Sequence, residues 1–407
     1  VLNVKWKAGV VVRPLHSTLN IQHSPFNIAF DLHLLALIIL IAWVMALIRT
    51  IVNLSLIRRL RAGMRPAAEP LVSVIIPARD EAHIIEQTVR AFLAQTYANL
   101  EVIVVNDRSA DGTGAIVRAV HDDRLTVIDG VEPPAGWLGK PWALHQGSRA
   151  ARGELLLFVD ADLIYAPAAV AAAVAYLQAQ DLALLSLFPH LEMHGFGEIA
   201  SMPMMPMVFH TFMPTWISNH TRFARLALGG GTGNLVERDI YERSGGHEEL
   251  RDAVVDDIAL ARLVRRHGGR TEIARAEDLV SLRMYHGVRE VIDGFTKNTF
   301  SALGRNYIAG FLVVAGCVVF HILPYALALS GDRASIATVV IISITRVILF
   351  RALRYRLDAA IFLHPVMAAI WTWIFIRSIW LTGIRRKLLW RGRTYDARQT
   401  RFGAERR

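Results

Sequence analysis

Acidic residues recur in this sequence directly after short apolar runs. Asp80 follows residues 71–77 (LVSVIIP) in the string PARDE, Asp107 follows residues 100–106 (LEVIVVN) in VVNDRSADGT, and Asp160 and Asp162 close LLLFVDAD. Alone, each has an ordinary structural use: Asp80 or Ser109 can cap a helix, Asp107 can make an Asx turn, and a D-x-D string arises often by chance. Four of them at the ends of successive strands point to a binding site. Asp160 and Asp162 are two residues apart at a strand end, so both side chains point the same way. Two hard oxygen ligands suit Mg2+ or Mn2+, which bind through one or two carboxylates plus substrate phosphates, and an ion held there neutralises a diphosphate leaving group. In residues 136–147 (GWLGKPWALHQG), Pro141 fits the first position of a helix, which sets Lys140 at the helix N-terminus. An ammonium and backbone N–H groups there can bind phosphate; the alternative is a solvated surface lysine.

Such residues need a frame. The runs 71–77, 100–106, 125–128 and 155–160 read as β-branched or leucine-rich strands, with helical patterns at 84–95, 112–120 and 141–151 between them. Nearly continuous apolar strands alternating with helices predict a parallel sheet covered on both faces. Ligands of such sheets bind beyond the carboxyl ends of the strands, where the four aspartates fall. The expected fold class is therefore α/β, with this domain spanning residues 70–300.

The rest of the chain has another character. Of 407 residues 53% are apolar and 20% charged, and the apolar ones pile up at 28–48, 308–329, 334–350 and 359–381. A run of about 20 residues crosses a hydrocarbon layer of roughly 30 Å. Residues 28–57 are expected to form an uncleaved anchor and its basic flank after an N-terminal segment, 1–27, and residues 308–382 to hold two to three membrane helices ahead of a basic tail, 384–407. Arg346 interrupts the middle C-terminal run, and the last carries His364, Pro365 and Arg377. If all three crossed, the Arg-rich tail would land on the wrong side for the positive-inside rule, so one of the last two is expected to be re-entrant or interfacial. The net charge of +10 lies outside residues 71–300, which hold 21 Lys and Arg against 29 Asp and Glu. Basic charge flanking apolar runs fits anionic lipid headgroups and a cytoplasmic α/β domain, and disfavours nucleic acid as a partner. A single cysteine, Cys317, excludes an intrachain disulfide and a Cys metal site, and the histidines, His247 among them, lack zinc-site spacing and read as structural. Residues 201–217 (SMPMMPMVFHTFMPTWI) read either as an interfacial platform for a lipid or as packing against the membrane helices.

As a set, VSVIIPARDE, VIVVNDRSADGT, LLLFVDAD and VVDDIALARLVRRHG resemble the inverting, GT-A-fold glycosyltransferases of family 2 over residues 71–300. The resemblance implies a Rossmann-like, mostly parallel sheet. It implies that Asp80 and Asp107 hold the base and ribose of a nucleoside diphosphate, that Asp160 positions the nucleotide, and that Asp162, with Asp160, ligates Mg2+ or Mn2+. Asp256 and Asp257 occupy the place of the family's acidic pair. An inverting transfer needs a base for the acceptor hydroxyl, and Asp257 is that base by the resemblance; opening a helix and complementing its dipole is the pair's other use. The W-x-G-K-x-W-A pattern around Lys140 and the tail string WRGRTY, 390–395, are similar to the hopene-associated glycosyltransferases and, less closely, to carotenoid-type ones. The Gly-rich string LGGGTGN, 228–234, faces the acceptor in that family. Residues 294–307 lack the Q/R-x-x-R-W motif of processive members. The implied function is transfer of one sugar, UDP-linked, to a hopanoid or other isoprenoid lipid at the cytoplasmic face of the inner membrane by a multi-pass protein. Transfer to a polyisoprenyl phosphate, a non-catalytic nucleotide-sugar-binding scaffold and nucleotidyl transfer are the rivals.

Overall fold

The computed structural model describes residues 25–390 and 393–396. The segment before residue 25 and most of the basic tail, Arg391 and part of the 390–395 string included, lie outside the described residues. The α/β domain is built on seven strands in the order β3-β2-β1-β4-β8-β6-β9. These are β1 (Val72–Ala78), β2 (Leu100–Asn106), β3 (Leu125–Asp129), β4 (Leu155–Phe158), β6 (Leu184–Phe188), β8 (Asn234–Glu237) and β9 (Thr271–Arg275). Every residue of β2 but its last is buried, and β1 is nearly so, which is why these strands read as unbroken apolar runs. A second, three-stranded sheet joins β5 (Leu163–Tyr165), β10 (Val280–Leu282) and β7 (His190–Leu191).

β1 pairs in parallel with β2 and β4, as does β6 with β9. β8 departs from the expected frame: it enters between β4 and β6 and runs antiparallel to both. A strand of four residues (NLVE) after a Gly-rich loop is too short to show a period of two, so helix-crossover patterning passes over it. Helix Gly139–Ala150 packs beneath β1 and β2, where Gly147 lies so close to Ile75 and Val105 that a Cβ would collide with Ile75.

Among the described residues four helices are long and apolar enough to cross a membrane: Asp31–Leu56, Tyr307–Leu329, Arg333–Leu353 and His364–Ile384. The first and third run side by side in the same direction. His33 meets Asp332 at one end (2.7 Å), and at the other the Arg275 guanidinium donates to the carbonyls of Leu54 and Ala352. The fourth does not continue the alternation. After Leu353 reaches the α/β domain, the short helix Leu357–Phe362 turns inward, and His364 meets His321 (3.1 Å) and Arg346 (3.4 Å). The chain then returns to the same domain, where Arg377 pairs with Asp293 (2.6 Å) and Ser378 bonds Thr296 and Phe300. The last apolar run thus begins beside the interior of the second and third helices and ends against the α/β domain. Arg346 is fully buried, held by His364 and the sulfurs of Met207 and Met367 over the ring of Phe350, so its charge faces protein.

Residues 201–217 pack against the anchor. Asn53 donates to the carbonyls of His210 and Met213 and accepts from Trp216 N–H, while Thr50 bonds Thr211 and Arg49 bonds the Phe212 carbonyl. Beyond the anchor, Arg58 and Leu60 hydrogen-bond the backbone of Arg275 and extend the sheet at its β9 edge.

Candidate functional site

Lys140, Asp160, Asp256 and Asp257 converge on one cavity at the carboxyl end of β4, with Gly231, Asn234 and His247 completing its wall. Asp160 follows β4 and donates its backbone N–H to the Gly231 carbonyl (2.9 Å). The Lys140 ammonium lies 2.7 Å from Asp160 Oδ1 and 3.3 Å from Asp256 Oδ1, bridging two carboxylates from distant parts of the chain. Helix Gly139–Ala150 starts two residues earlier than Pro141 implied, so Lys140 sits in its first turn. Pro141 is tolerated there because the first-turn N–H groups have no intrahelical partner.

Asp256 and Asp257 open the helix Asp256–Arg266. Burial, then the charge of Asp256, pushes the Asp257 carboxyl up to about 6; Lys140 and a hydrogen bond from Ile258 N–H (2.7 Å) act the other way. Burial disfavours a charged Lys140, but Asp160, Asp256 and Asp257 outweigh it and hold the ammonium well above its usual range. The result is a carboxyl group poised near neutrality beside a fixed cation.

The Gly-rich loop 228–233 turns out to touch both carboxylate elements. A Cβ at Gly231 would overlap the Asp160 carboxylate, and one at Gly229 would overlap the Asp257 backbone. Asn234 follows, donating to the Asp257 carbonyl (3.2 Å) and bonding Ser186. His247, set aside above as structural, lines the cavity with its ring edge-on to Phe158 and Nδ1 2.8 Å from the Tyr241 hydroxyl. Burial, then the nearby Lys140 charge, holds it down to about 3, so it is neutral. No spacing in the sequence marks it, because Tyr241 and Phe158 reach it through packing.

Asp80 and Asp107 lie at the ends of β1 and β2, apart from the residues lining this cavity. Asp80, in the left-handed region (φ 54°), accepts from Ala110 N–H (2.8 Å). Asp107 is 5% exposed and pairs with Arg79 and Arg108. Asp162 stands in the turn between β4 and β5. Among the described residues no three His, Cys, Asp or Glu side chains cluster as a metal cage. The oxygen donors of Asp160, 39% exposed, and Asp162 fit a hard divalent ion that completes its shell with phosphate and water. Trp137, Trp142 and His145 pack on one another, Trp142 stacked on His145 at 5.5 Å.

Residues 73–243 match the family model described as glycosyl transferase family 2. The chain is 27% identical over 338 residues to 4,4'-diaponeurosporenoate glycosyltransferase of Staphylococcus aureus strain MRSA252, covering 80% of this chain and 88% of that protein. The USA300 strain's enzyme of the same name matches equally, at 27% over 339 residues. Among solved structures, a mannosyltransferase from Pyrobaculum calidifontis in complex with GDP-Man and Mn2+ superposes with a TM-score of 0.51 at 21% identity, covering 85% of this chain and 98% of that one.

Proposed function

We propose that this family 2 glycosyltransferase, with its GT-A fold and apolar membrane helices, transfers one sugar, with inversion, from a nucleoside-diphosphate sugar to a hydroxyl of an isoprenoid-type lipid. The observation that carries this reading is Asp257: a carboxylate pushed up to about 6, fixed by Ile258 N–H and set in one cavity with Asp160 and Lys140. The acceptor oxygen attacks the anomeric carbon as Asp257 takes its proton, and the bond to the diphosphate breaks with the electron pair leaving on that group. Lys140, in a helix first turn, compensates charge developing on the diphosphate. Asp80 and Asp107, at neighbouring strand ends, are assigned to the nucleoside. Asp160 and Asp162 would hold Mg2+ or Mn2+, which when bound supplies a Lewis acid for the leaving group.

A UDP-linked donor and a hopanoid acceptor are the first to test; the curated relatives act, by name, on an isoprenoid-type acid. Arg58, Arg59, Arg61 and Arg65 directly after the anchor favour the cytoplasmic face for the catalytic domain.

The test is transfer of label from a panel of nucleotide sugars into the organic phase by detergent-solubilised protein with bacterial lipid extract and Mg2+ or Mn2+. Label that requires both metal and Asp257 supports the reading. Near-normal turnover in Asp257→Asn would favour a polyisoprenyl phosphate acceptor, which needs no strong base. Donor binding with no label from any donor would point to the non-catalytic scaffold.

A further inference from the structure

The catalytic domain and the membrane helices meet around a second cavity, of about 80 Å3, which shares no lining residue with the carboxylate site. Met193, Ile199 and Pro203 from the catalytic domain and Phe350 from helix Arg333–Leu353 make its apolar wall. It lies where that helix ends, the end tied through Arg275 to the last turn of the anchor. His190, Leu191, Arg354, Tyr355 and Arg356 complete the lining. Arg354 closes the helix in the left-handed region (φ 60°). Its guanidinium pairs with Asp278 (2.7 Å) and that of Arg356 with Asp358 (2.6 Å), yet both arginine side chains are more than 60% exposed. Exposed pairs are weak, and a guanidinium has five N–H donors, so both retain capacity for an anion.

Tyr355 gives the cavity its polarity. The residue is 7% exposed, and its hydroxyl donates to no acceptor. The Leu191 N–H beside it can only donate, so the phenol's own proton lacks an acceptor in either case. A ligand oxygen would give that proton an acceptor.

We infer that this cavity binds the phosphate of an anionic membrane phospholipid. Tyr355 donates to a phosphate oxygen, Arg354 and Arg356 supply positive charge, and the apolar wall receives the glycerol end of the acyl chains. Basic pockets beside membrane helices on the cytoplasmic side hold lipid headgroups by this chemistry. The apolar wall and the position at a membrane-helix end favour a lipid over free phosphate.

The full chain in neutral detergent is melted, following tryptophan fluorescence, with dioleoyl phosphatidylglycerol, dioleoylglycerol or inorganic phosphate added. Phosphatidylglycerol should raise Tm, and the other two should not. Tyr355→Phe and Arg356→Gln should each lose more than half of that rise while melting no lower than wild type without lipid. An equal rise in both variants would overturn the assignment, as would a full rise with inorganic phosphate, which marks a free-anion site. So would a lower lipid-free Tm for Tyr355→Phe. In that case the phenol serves the fold through Glu277, whose buried Oε2 also lacks a partner.

Discussion

Asp257 carries two opposed demands. The start of a helix favours its anion, while burial and Asp256 favour its acid form and prevail, leaving it near 6. As a base it works ionised, so kcat/KM should climb through about pH 6 and level off above it. Lys140→Met removes a charge that pulls Asp257 down, so this acid limb should move to higher pH, read from pH–rate profiles of the two proteins. Asp257→Asn should lose transfer by about two to four orders of magnitude while titration calorimetry finds donor affinity within a few fold. The same raised value has a cost in stability. The folded protein binds this proton more readily than the unfolded chain, so the contribution is fully present below the usual carboxylate range and is lost as pH rises through about 6. Thermal melts at pH 8 should therefore place Asp257→Asn above wild type by about 1–3 kcal/mol, with the gap closing below pH 4.

At the scale of elements, the antiparallel strand β8 and the glycine loop before it position the carboxylates from below. Gly231→Ala would force a methyl group into the Asp160 carboxylate. The expected outcome is a drop in kcat/KM of about 10–100-fold with little change in unfolding temperature, measured on the same preparation. Strands β1, β2 and β4 were legible because each is an apolar run buried on both faces and followed within two residues by an aspartate. β8 was not, since four residues between a loop and a short helix carry no periodic signal. Lys140 was legible as a phosphate candidate from the glycine and proline around it. Its bridge between Asp160 and Asp256 was not, because that contact joins residues 20 and 116 positions away, and only the folded sheet brings them together.

At the scale of the whole molecule, the basic tail leads to the expectation that one of the last two apolar runs is re-entrant or interfacial, and the contacts of His364, Arg377 and Ser378 make the last run the one to test. In a Cys317→Ser background, Ser330→Cys should react with an impermeant maleimide in intact cells, and Arg385→Cys only after permeabilisation. Labelling of both from outside would make the last run a full crossing. The join between the anchor and the sheet has a further consequence. Because Arg58 and Leu60 continue the hydrogen bonding of β9 while Arg275 clasps the ends of two membrane helices, the catalytic domain is not tethered on a swinging arm. Under the proposed function, the base would stand at a set height above the hydrocarbon boundary, like the stop on a depth gauge. A lipid acceptor would then be selected by how far its reactive oxygen rises out of the membrane as well as by the shape of what carries it.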